Sequence, residues 1–178
     1  WLPRYLISVV SNHQKNNLPY NVWIVIPAYN EESMLGSLLD ELCSKNYSLI
    51  VVDDCSRDAT CDIAMQYPVV VLRHTVNLGQ GAALQTAFDY ITANSEASCV
   101  VTFDSDGQHT VEDIQKVIEP VLNGNFDAVL GSRFLNSTYS MLKKNGMPFS
   151  KYLTLKLGVL FTRVSTGLKV TDTHNGLR

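Results

Sequence analysis

Residues 22–32 read VWIVIPAYNEE, and this stretch decides the fold class. The run from Val22 to Ile26 is apolar and mostly β-branched, which is typical of a buried strand. Glu31 and Glu32 follow where the first turn of a helix favours acidic residues. Leucines at helical spacing come next: Leu35, Leu38, Leu39 and Leu42. The stretch therefore predicts a strand, a polar loop and an amphipathic helix in direct succession.

This order of apolar run and helical stripe repeats along the chain. Further strands are predicted at 49–52, 69–72, 99–103 and 128–130, and further helices at 58–66, 81–93 and 111–122. Because the strands are continuous apolar runs, both faces of the sheet are expected to be covered. We predict an α/β fold with a doubly wound, mostly parallel sheet and helices on both faces. This domain is assigned to residues 22–178, after an N-terminal extension at 1–21.

The composition limits the class of protein. The chain has 178 residues, 46% of them hydrophobic, which fits one domain with a proper core. No apolar run approaches the roughly 18 residues of a membrane span. The four cysteines lack paired C-x-x-C spacing, so reduced thiols are expected rather than disulfides or a zinc site. We expect a soluble, cytoplasmic protein, and we predict no nucleic-acid partner.

The basic residues are concentrated near the C-terminus. Between Arg133 and Lys169 there are seven basic residues and no acidic one. In the same segment one helical stripe is apolar: Leu153, Leu157, Leu160, Val164 and Leu168. An apolar stripe near cations packs on a core or rests on a bilayer surface. We expect core packing; the alternative is that segment 143–169 contacts a membrane, with the protein peripheral on its cytoplasmic face.

Polar clusters follow four of the predicted strands: Pro27–Glu32, Asp53–Ser56, Asp104–Gln108 and Gly131–Arg133. Ligands of an open parallel sheet bind outside the carboxyl ends of its strands, so these clusters predict one site. Two buried carboxylates are costly to ionise together, so Asp53 and Asp54 are expected to have different tasks. One would accept from a base or ribose hydroxyl, and the other from backbone amides.

Asp104 and Asp106 form an Asp-x-Asp unit, whose carboxylates project to one side of an extended backbone. Such a pair can hold a hard divalent cation, and Gln108 offers a further oxygen on that side. The same residue types are also common in turns. The position of the unit directly after a buried strand is what favours a metal site.

Two nucleotide-binding signatures are excluded. Residues 77–83 read NLGQGAA, but Leu84 stands where a dinucleotide fingerprint has its third glycine, and the segment does not follow the first strand. No G-x-x-x-x-G-K-[ST] motif occurs, which excludes a P-loop enzyme.

Six motifs in order give the chain a family resemblance: VIPAYNEE (25–32), VVDDCSRDAT (51–60), NLGQGAAL (77–84), DSDGQH (104–109), GSR (131–133) and DTHNGLR (172–178). The sequence resembles family 2 glycosyltransferases of the GT-A fold, and among them the dolichyl- and undecaprenyl-phosphate sugar transferases. The motifs extend over nearly everything from Val22 onward. Two positions depart from the family pattern: Asn175 stands where Ser or Cys is common, and Leu177 replaces a common Phe.

The resemblance implies roles at the matching positions. The residues implied to bind a nucleotide-sugar are Pro27, Tyr29, Glu31, Asp53, Asp54, Asp104, Ser105 and Gln108. Asp104, Asp106 and Gln108 would hold Mg²⁺ or Mn²⁺. The residues implied to act in catalysis are Asp106, Arg133, which would face a phosphate, and Asp172 beside the acceptor. Asp172 would be a base towards a hydroxyl, whereas a polyprenyl phosphate, already largely ionised, would need it only for positioning.

The implied activity is inverting, metal-assisted transfer of a sugar from a UDP- or GDP-sugar. The implied acceptor is a polyprenyl phosphate, in cell-envelope glycan or glycolipid synthesis. Related proteins continue beyond the position of Arg178, so the catalytic domain is expected to be truncated there. The alternatives are a non-catalytic nucleotide-sugar-binding module and a transferase acting on a saccharide hydroxyl. A nucleotidyltransferase is disfavoured, because PAYNEE replaces the Gly-rich loop expected after its first strand.

Overall fold

Strands and helices alternate along the chain in a computed structural model, which describes residues 6–11, 20–104, 110–132, 148–168, 170–172 and 177. The strands in these ranges are β1 Leu6–Ser11, β2 Val22–Ala28, β3 Ser48–Asp53, β4 Val70–His74 and β5 Cys99–Thr102. The helices are α1 Leu35–Cys43, α2 Thr60–Ala64, α3 Gln80–Asn94, α4 Val111–Leu122 and α5 Phe149–Thr166.

The five strands form one sheet in the order β1-β4-β3-β2-β5. Strands β2 to β5 pair in parallel, and only β1 is antiparallel, along β4. Successive strands from β2 run outward to β4 on one side, whereas β5 lies on the other side of β2. The strand order therefore reverses beside β2, and this switch point is where such sheets bind ligands.

Both faces of the sheet are covered by helices. Side chains of successive strand residues point to opposite faces, so neighbouring residues of one strand belong to different cores. On β2, Ile24 and Ile26 belong to a core shared with α1, α2 and α4, whereas Trp23 and Val25 belong to a core shared with α3. Ile24, Val25 and Ile26 are fully buried. The predicted α/β class, with a doubly wound, mostly parallel sheet, is confirmed.

Two details of the sheet differ from the sequence analysis. Strand β1 lies inside the segment treated as an N-terminal extension, and it pairs with β4 from Leu6 opposite His74 to Ser11 opposite Val70. The strand expected at 128–130 is wrong, since residues 125–132 contain no strand. Leu130 is half exposed, so this short run is not the buried strand its composition suggested.

The exposure of helix α5 differs from a further expectation, that its apolar stripe packs on the core. The stripe predicted to pack on the core is exposed in the described structure, from 47% at Leu153 to 79% at Val164. Leu155 and Val159, on another face of the helix, are the buried residues instead. Periodicity identified residues that share a face, but the face that is covered is a different one. None of the described helices combines the length and the apolarity that a membrane crossing requires.

Candidate functional site

A cavity of about 300 Å³ opens at the carboxyl ends of β2, β3 and β5. It is lined by Pro27, Ala28, Tyr29, Glu31, Asp54, Gln80, Ala83 and Asp104. Five of the residues predicted from the sequence thus meet around one cavity at the switch point of the sheet. These five are Pro27, Tyr29, Glu31, Asp54 and Asp104.

Two loops, 29–32 after β2 and 54–59 after β3, bind each other reciprocally and are named here the paired loops. The Asn30 amide donates to Ser56 Oγ at 2.9 Å, and the Arg57 amide donates back to Asn30 Oδ1 at 2.9 Å. The Glu32 amide donates to Asp58 Oδ2 at 3.2 Å, while Glu32 Oε2 accepts from the next loop residue, Ala59, at 3.0 Å. Four crossed bonds fix the backbone that carries the rim of the cavity.

Asp58 adds an electrostatic component to the paired loops. Besides the Glu32 amide, it accepts from the amide of Thr60 at 3.0 Å and from the Thr60 hydroxyl. Burial by itself raises the pKa of Asp58, but these hydrogen bonds to Thr60 and Glu32 outweigh it and lower the pKa below its ordinary value. The ionised carboxylate therefore stabilises this part of the fold.

The paired loops also contain two residues with left-handed backbone, Asn30 at φ 56° and Cys55 at φ 64°. Asparagine is among the non-glycine residues that adopt this conformation most readily, and the Asn30 side chain accepts from the Arg57 amide of the opposite loop. Cysteine is not among the residue types that favour this conformation, so Cys55 carries a conformational cost at the edge of the site, against which its thiol makes a weak bond to the Thr75 carbonyl.

Asp54 joins three elements at the back of the cavity. Its Oδ1 lies 2.7 Å from His74 Nδ1 and accepts from the Leu78 amide at 2.8 Å. Its Oδ2 accepts from the Gly79 amide at 2.7 Å. Gly79 has φ 86°, which only glycine adopts without strain, and it precedes the first residue of α3. The carboxylate thereby fixes both the end of β4 and the start of α3.

Asp53 lies in a different environment from its neighbour. It is fully buried, accepts from the Ser56 amide at 3.0 Å and pairs with Arg73 Nε at 3.1 Å. It is not among the described residues that line the cavity. The two adjacent carboxylates thus have distinct partners, although a ligand role for either is still a prediction.

Asp104 lies across the cavity from the paired loops, at the end of β5. Its Oδ1 accepts from Gln80 Nε2 at 2.7 Å, which links it to the start of α3. The other predicted metal ligands, Asp106 and Gln108, lie outside the described residues, as does Ser105. Within the described residues no group of three His, Cys, Asp or Glu side chains is placed to hold a metal ion.

The charge of the lining still fits a cation. Glu31, Asp54 and Asp104 contribute three carboxylates, and no described lining residue is Lys or Arg. A diphosphate brought to such a surface would be repelled unless a cation came with it. Carboxylate oxygens are the ligands that Mg²⁺ prefers, and Mg²⁺ commonly bridges one or two of them to substrate phosphates.

The remaining predicted residues lie apart from this lining. Asp172 is buried, and the adjoining Thr171 donates its hydroxyl to Ser132 Oγ at 2.8 Å. The Gly131 amide donates to the Leu177 carbonyl at 2.9 Å. The second bond joins the GSR and DTHNGLR motifs, and the first joins GSR to the residue directly before DTHNGLR. Arg133 lies outside the described residues.

Sequence reasoning missed three polar contributors to this site: Gln80, His74 and Thr86. Gln80 lines the cavity, and His74 bridges Asp54 to Thr86. Gln80 lies in the NLGQGAAL stretch, which contributes to the family resemblance but to which the sequence analysis assigns no ligand role. His74 ends the observed strand β4, two residues beyond the strand predicted at 69–72, and its position in the sequence does not indicate what its side chain contacts.

Known proteins place the chain in a family. Its sequence matches the model for Glycosyl transferase family 2 over residues 23–170. The uncharacterized protein MJ1222 of Methanocaldococcus jannaschii is 38% identical over 159 residues, which cover 88% of this chain and 63% of that protein.

Two further relatives have named activities. The UDP-N-acetylglucosamine–dolichyl-phosphate N-acetylglucosaminyltransferase of Methanococcus voltae is 34% identical over 179 residues, covering 88% of this chain and 68% of that protein. The dolichol-phosphate mannosyltransferase of Pyrococcus furiosus is 32% identical over 152 residues, covering 81% and 41%. The chain thus spans between 41% and 68% of the length of these three relatives.

The family match extends over most of the chain and includes the motifs around the cavity. Together with the sheet order, it confirms the GT-A fold that the motifs implied. The chain belongs to glycosyl transferase family 2.

Proposed function

We propose that this chain binds a nucleotide-sugar, UDP- or GDP-linked, and transfers the sugar with inversion to a polyprenyl phosphate. The product would enter cell-envelope glycan or glycolipid synthesis. The observation that carries the proposal is that Tyr29, Asp54 and Asp104 converge on one cavity at the switch point of a family 2 sheet.

The nucleoside would occupy the side of the cavity formed by the paired loops. Tyr29 is 44% exposed there and offers an aromatic face on which a base can stack. Asp54 lies behind it and offers a carboxylate to a base N–H or a ribose hydroxyl. Pro27 and Glu31 complete this side. Asp53 would act indirectly, through the loop that its Ser56 bond fixes.

The diphosphate would lie towards Asp104. Asp104, Asp106 and Gln108 would hold Mg²⁺ or Mn²⁺, and Ser105, between the two aspartates in the sequence, would contact the nucleotide-sugar. When bound, such a cation neutralises charge that develops on the leaving nucleoside diphosphate. Arg133 would add charge-assisted hydrogen bonds to phosphate oxygens. Gln80 would release its hydrogen bond to Asp104 or adjust it as the ligand binds.

The acceptor is inferred from the relatives. The two named ones transfer different sugars, N-acetylglucosamine and mannose, but both names contain a dolichol-type phosphate. A phosphate acceptor is largely ionised near neutral pH, so Asp172 would position it. We expect Asp172→Asn to leave a near-normal rate without new pH dependence. A loss of rate that grows as pH falls would instead indicate a hydroxyl acceptor and base catalysis.

Helix α5 supports a membrane-associated site, because a polyprenyl phosphate resides in a bilayer. Its exposed apolar residues share one face spanning about 120° of the helix: Phe149, Leu153, Leu157, Leu160, Phe161 and Val164. Lys156 and Arg163 border one edge of that face. Such a face lies in the headgroup region of anionic membranes, with the cations directed at the lipid phosphates. We infer peripheral attachment on the cytoplasmic side through segment 143–169.

Vesicle sedimentation tests this attachment. The protein should sediment with vesicles containing phosphatidylglycerol and less with pure phosphatidylcholine. Phe161→Ser should weaken the binding severalfold, because Phe161 is 74% exposed on the apolar face. Phe126→Ser is the matched control, since Phe126 is 62% exposed but lies outside α5. Equal loss from both variants, or no binding to either vesicle, would contradict the attachment.

A thermal-shift panel tests the donor site. UDP-, GDP- and dTDP-sugars are each added with and without Mn²⁺, and we expect one nucleotide to raise Tm only when Mn²⁺ is present. Asp104→Asn should remove that shift. Asp89→Asn should keep it, because Asp89 lies on α3 but is not among the described residues that line the cavity. A shift that is equal with and without Mn²⁺ would contradict the cation's role.

The main alternative is a non-catalytic nucleotide-sugar-binding module. It predicts the same thermal shifts but no chemistry. Transfer to a short-chain polyprenyl phosphate, or slow hydrolysis of the sugar donor, would separate the enzyme from the module. The transferase acting on a saccharide hydroxyl is separated from both by the Asp172→Asn pH profile.

A further inference from the structure

A buried chain of hydrogen bonds lies behind the cavity and connects α3 to Asp54. His74, at the end of β4, is only 1% exposed. Its Nδ1 lies 2.7 Å from Asp54 Oδ1, and its Nε2 lies 2.9 Å from Thr86 Oγ1 in the second turn of α3. Both ring nitrogens therefore have partners, and the ring is held at its two ends.

The chemistry of the partners assigns the proton on Nδ1. A carboxylate only accepts hydrogen bonds, so Nδ1 must carry the hydrogen that faces Asp54. The Thr86 hydroxyl can either donate to or accept from Nε2, so it satisfies the neutral and the charged ring equally. The imidazole can thus hold Asp54 in one orientation whichever form it takes.

The acceptor capacity of Asp54 is nearly used within the protein. A carboxylate has about four acceptor positions, and three are filled by His74, Leu78 and Gly79. Two of these bonds end on Oδ1 and one on Oδ2. One acceptor position on Oδ2 is therefore left among the described contacts, on a residue that lines the cavity.

The orientation of this position depends on His74. Rotation of the Asp54 side chain would move Oδ1 out of reach of Nδ1 and would present a different oxygen edge to the cavity. The Leu78 and Gly79 amides belong to the loop that leads directly into α3 at Gln80. His74 contacts both Asp54 and α3, so it holds the carboxylate and its backbone donors in register.

We propose that His74 is a positioning residue for nucleotide recognition, which aims the open acceptor position of Asp54 Oδ2 at an N–H donor of the bound base. It rests on the proposed donor site. Thr86 takes part in this role because it holds the other end of the His74 ring. The consequence is selectivity among nucleotides rather than affinity for the diphosphate. Bases that differ in their hydrogen-bond donors are distinguished at this one carboxylate. If the carboxylate is misdirected, the difference in affinity between those bases becomes smaller.

Two amide variants separate the two ends of the ring. In His74→Asn an amide N–H stands near the position of Nδ1 and can still donate to Asp54. In His74→Gln the amide stands near the position of Nε2, so it reaches Thr86 but leaves Asp54 without its side-chain donor. Calorimetric titration measures Kd for UDP, GDP, CDP and ADP in Mn²⁺ for the wild type and both variants.

We expect His74→Gln to reduce the ratio of Kd between the preferred and the other nucleotides about tenfold, the usual weight of a hydrogen bond to a charged group. His74→Asn should keep most of the ratio, and Thr86→Val should lie between wild type and His74→Gln. A purely structural role would weaken all four nucleotides by one factor and leave the ratio unchanged. That result, or equal ratios for the Asn and Gln variants, would overturn the proposal.

A measurement on the wild type keeps the test independent of variant folding. In ¹⁵N-histidine NMR, the His74 ring should show a protonated Nδ1, and its signals should shift when the preferred nucleotide is added. An Nδ1 without a proton, or signals unmoved by a bound nucleotide, would refute the role of His74. If the wild type binds none of the four nucleotides, the donor site itself has failed, which is a different result.

Discussion

Helices α4 and α5 are both amphipathic, yet only α4 has its apolar stripe covered. On α4, Val111, Ile114, Val117 and Ile118 are buried against the sheet. On α5, the residues of the stripe predicted from the sequence are between 47% and 79% exposed. A 3.6-residue period therefore shows which side chains share a face, but the sheet and its neighbours decide whether that face is covered.

The contrast extends to polar groups. In the paired loops, backbone amides and side-chain oxygens bind each other across two segments that are 27 residues apart at Glu32 and Ala59. On α5, the described hydroxyls donate to carbonyls of the same helix, as Thr154 does to Ser150. We therefore expect substitutions near the sheet to cost stability, and matched substitutions on α5 to cost little.

The largest effect should come from the matched helix pair. Ile114→Ala removes a fully buried side chain from α4 and should lower the free energy of unfolding by about 2–5 kcal/mol. Leu157→Ala removes a side chain that is 58% exposed and should change it by less than about 0.5 kcal/mol. Urea denaturation measures both. Similar losses for the two variants would mean that α5 is covered in solution.

Gly167 and Cys55 both have left-handed backbone, and only the first of them is a glycine. Gly167, at φ 74°, ends α5, and Gly167→Ala should cost about 1 kcal/mol, because a Cβ disfavours this conformation. If Gly167→Ala is neutral by urea denaturation, the end of α5 does not hold that conformation in solution.

Substitutions of Asp58 in the paired loops and of Thr154 on α5 are compared next, and only the first should have a pH-dependent effect on stability. Asp58→Ala should cost about 1 kcal/mol near neutral pH, whereas Thr154→Ala should be within about 0.5 kcal/mol. The lowered pKa of Asp58 means that its contribution is present above the unfolded-state pKa of about 4 and is lost as pH falls through the folded value. Denaturation at pH 7 and pH 3 should therefore show the Asp58→Ala difference narrowing, and a constant difference would contradict the charge contribution.

The smallest effect has the opposite sign. Cys55→Gly should raise stability by about 0.5 kcal/mol, since relief of the left-handed cost exceeds the added chain entropy and the weak bond from Cys55 Sγ to the Thr75 carbonyl. Thermal denaturation detects this as a small increase in Tm. A decrease would show that the Cys55 thiol contributes more than its geometry indicates.

Part of the fold and of the cavity could be predicted from the sequence. The continuous run at β2 predicted burial on two faces, and the polar residues after it predicted the cavity rim, because strand ends of a parallel sheet meet at one edge. The partners of Asp54 could not be predicted, since Leu78, Gly79 and His74 reach it only through tertiary contacts. The antiparallel β1 was also out of reach, because an edge strand carries no signal of its partner.

The cavity between the paired loops and Asp104 is proposed to bind the nucleotide-sugar with its cation. A crystal structure with the preferred donor and Mn²⁺ tests this proposal most directly. We expect the base beside Tyr29 and Asp54, and Mn²⁺ on Asp104. Ligand density in the second described cavity, lined by Tyr20 and Tyr47 at the other end of the sheet, with Asp104 free of metal, would contradict the account.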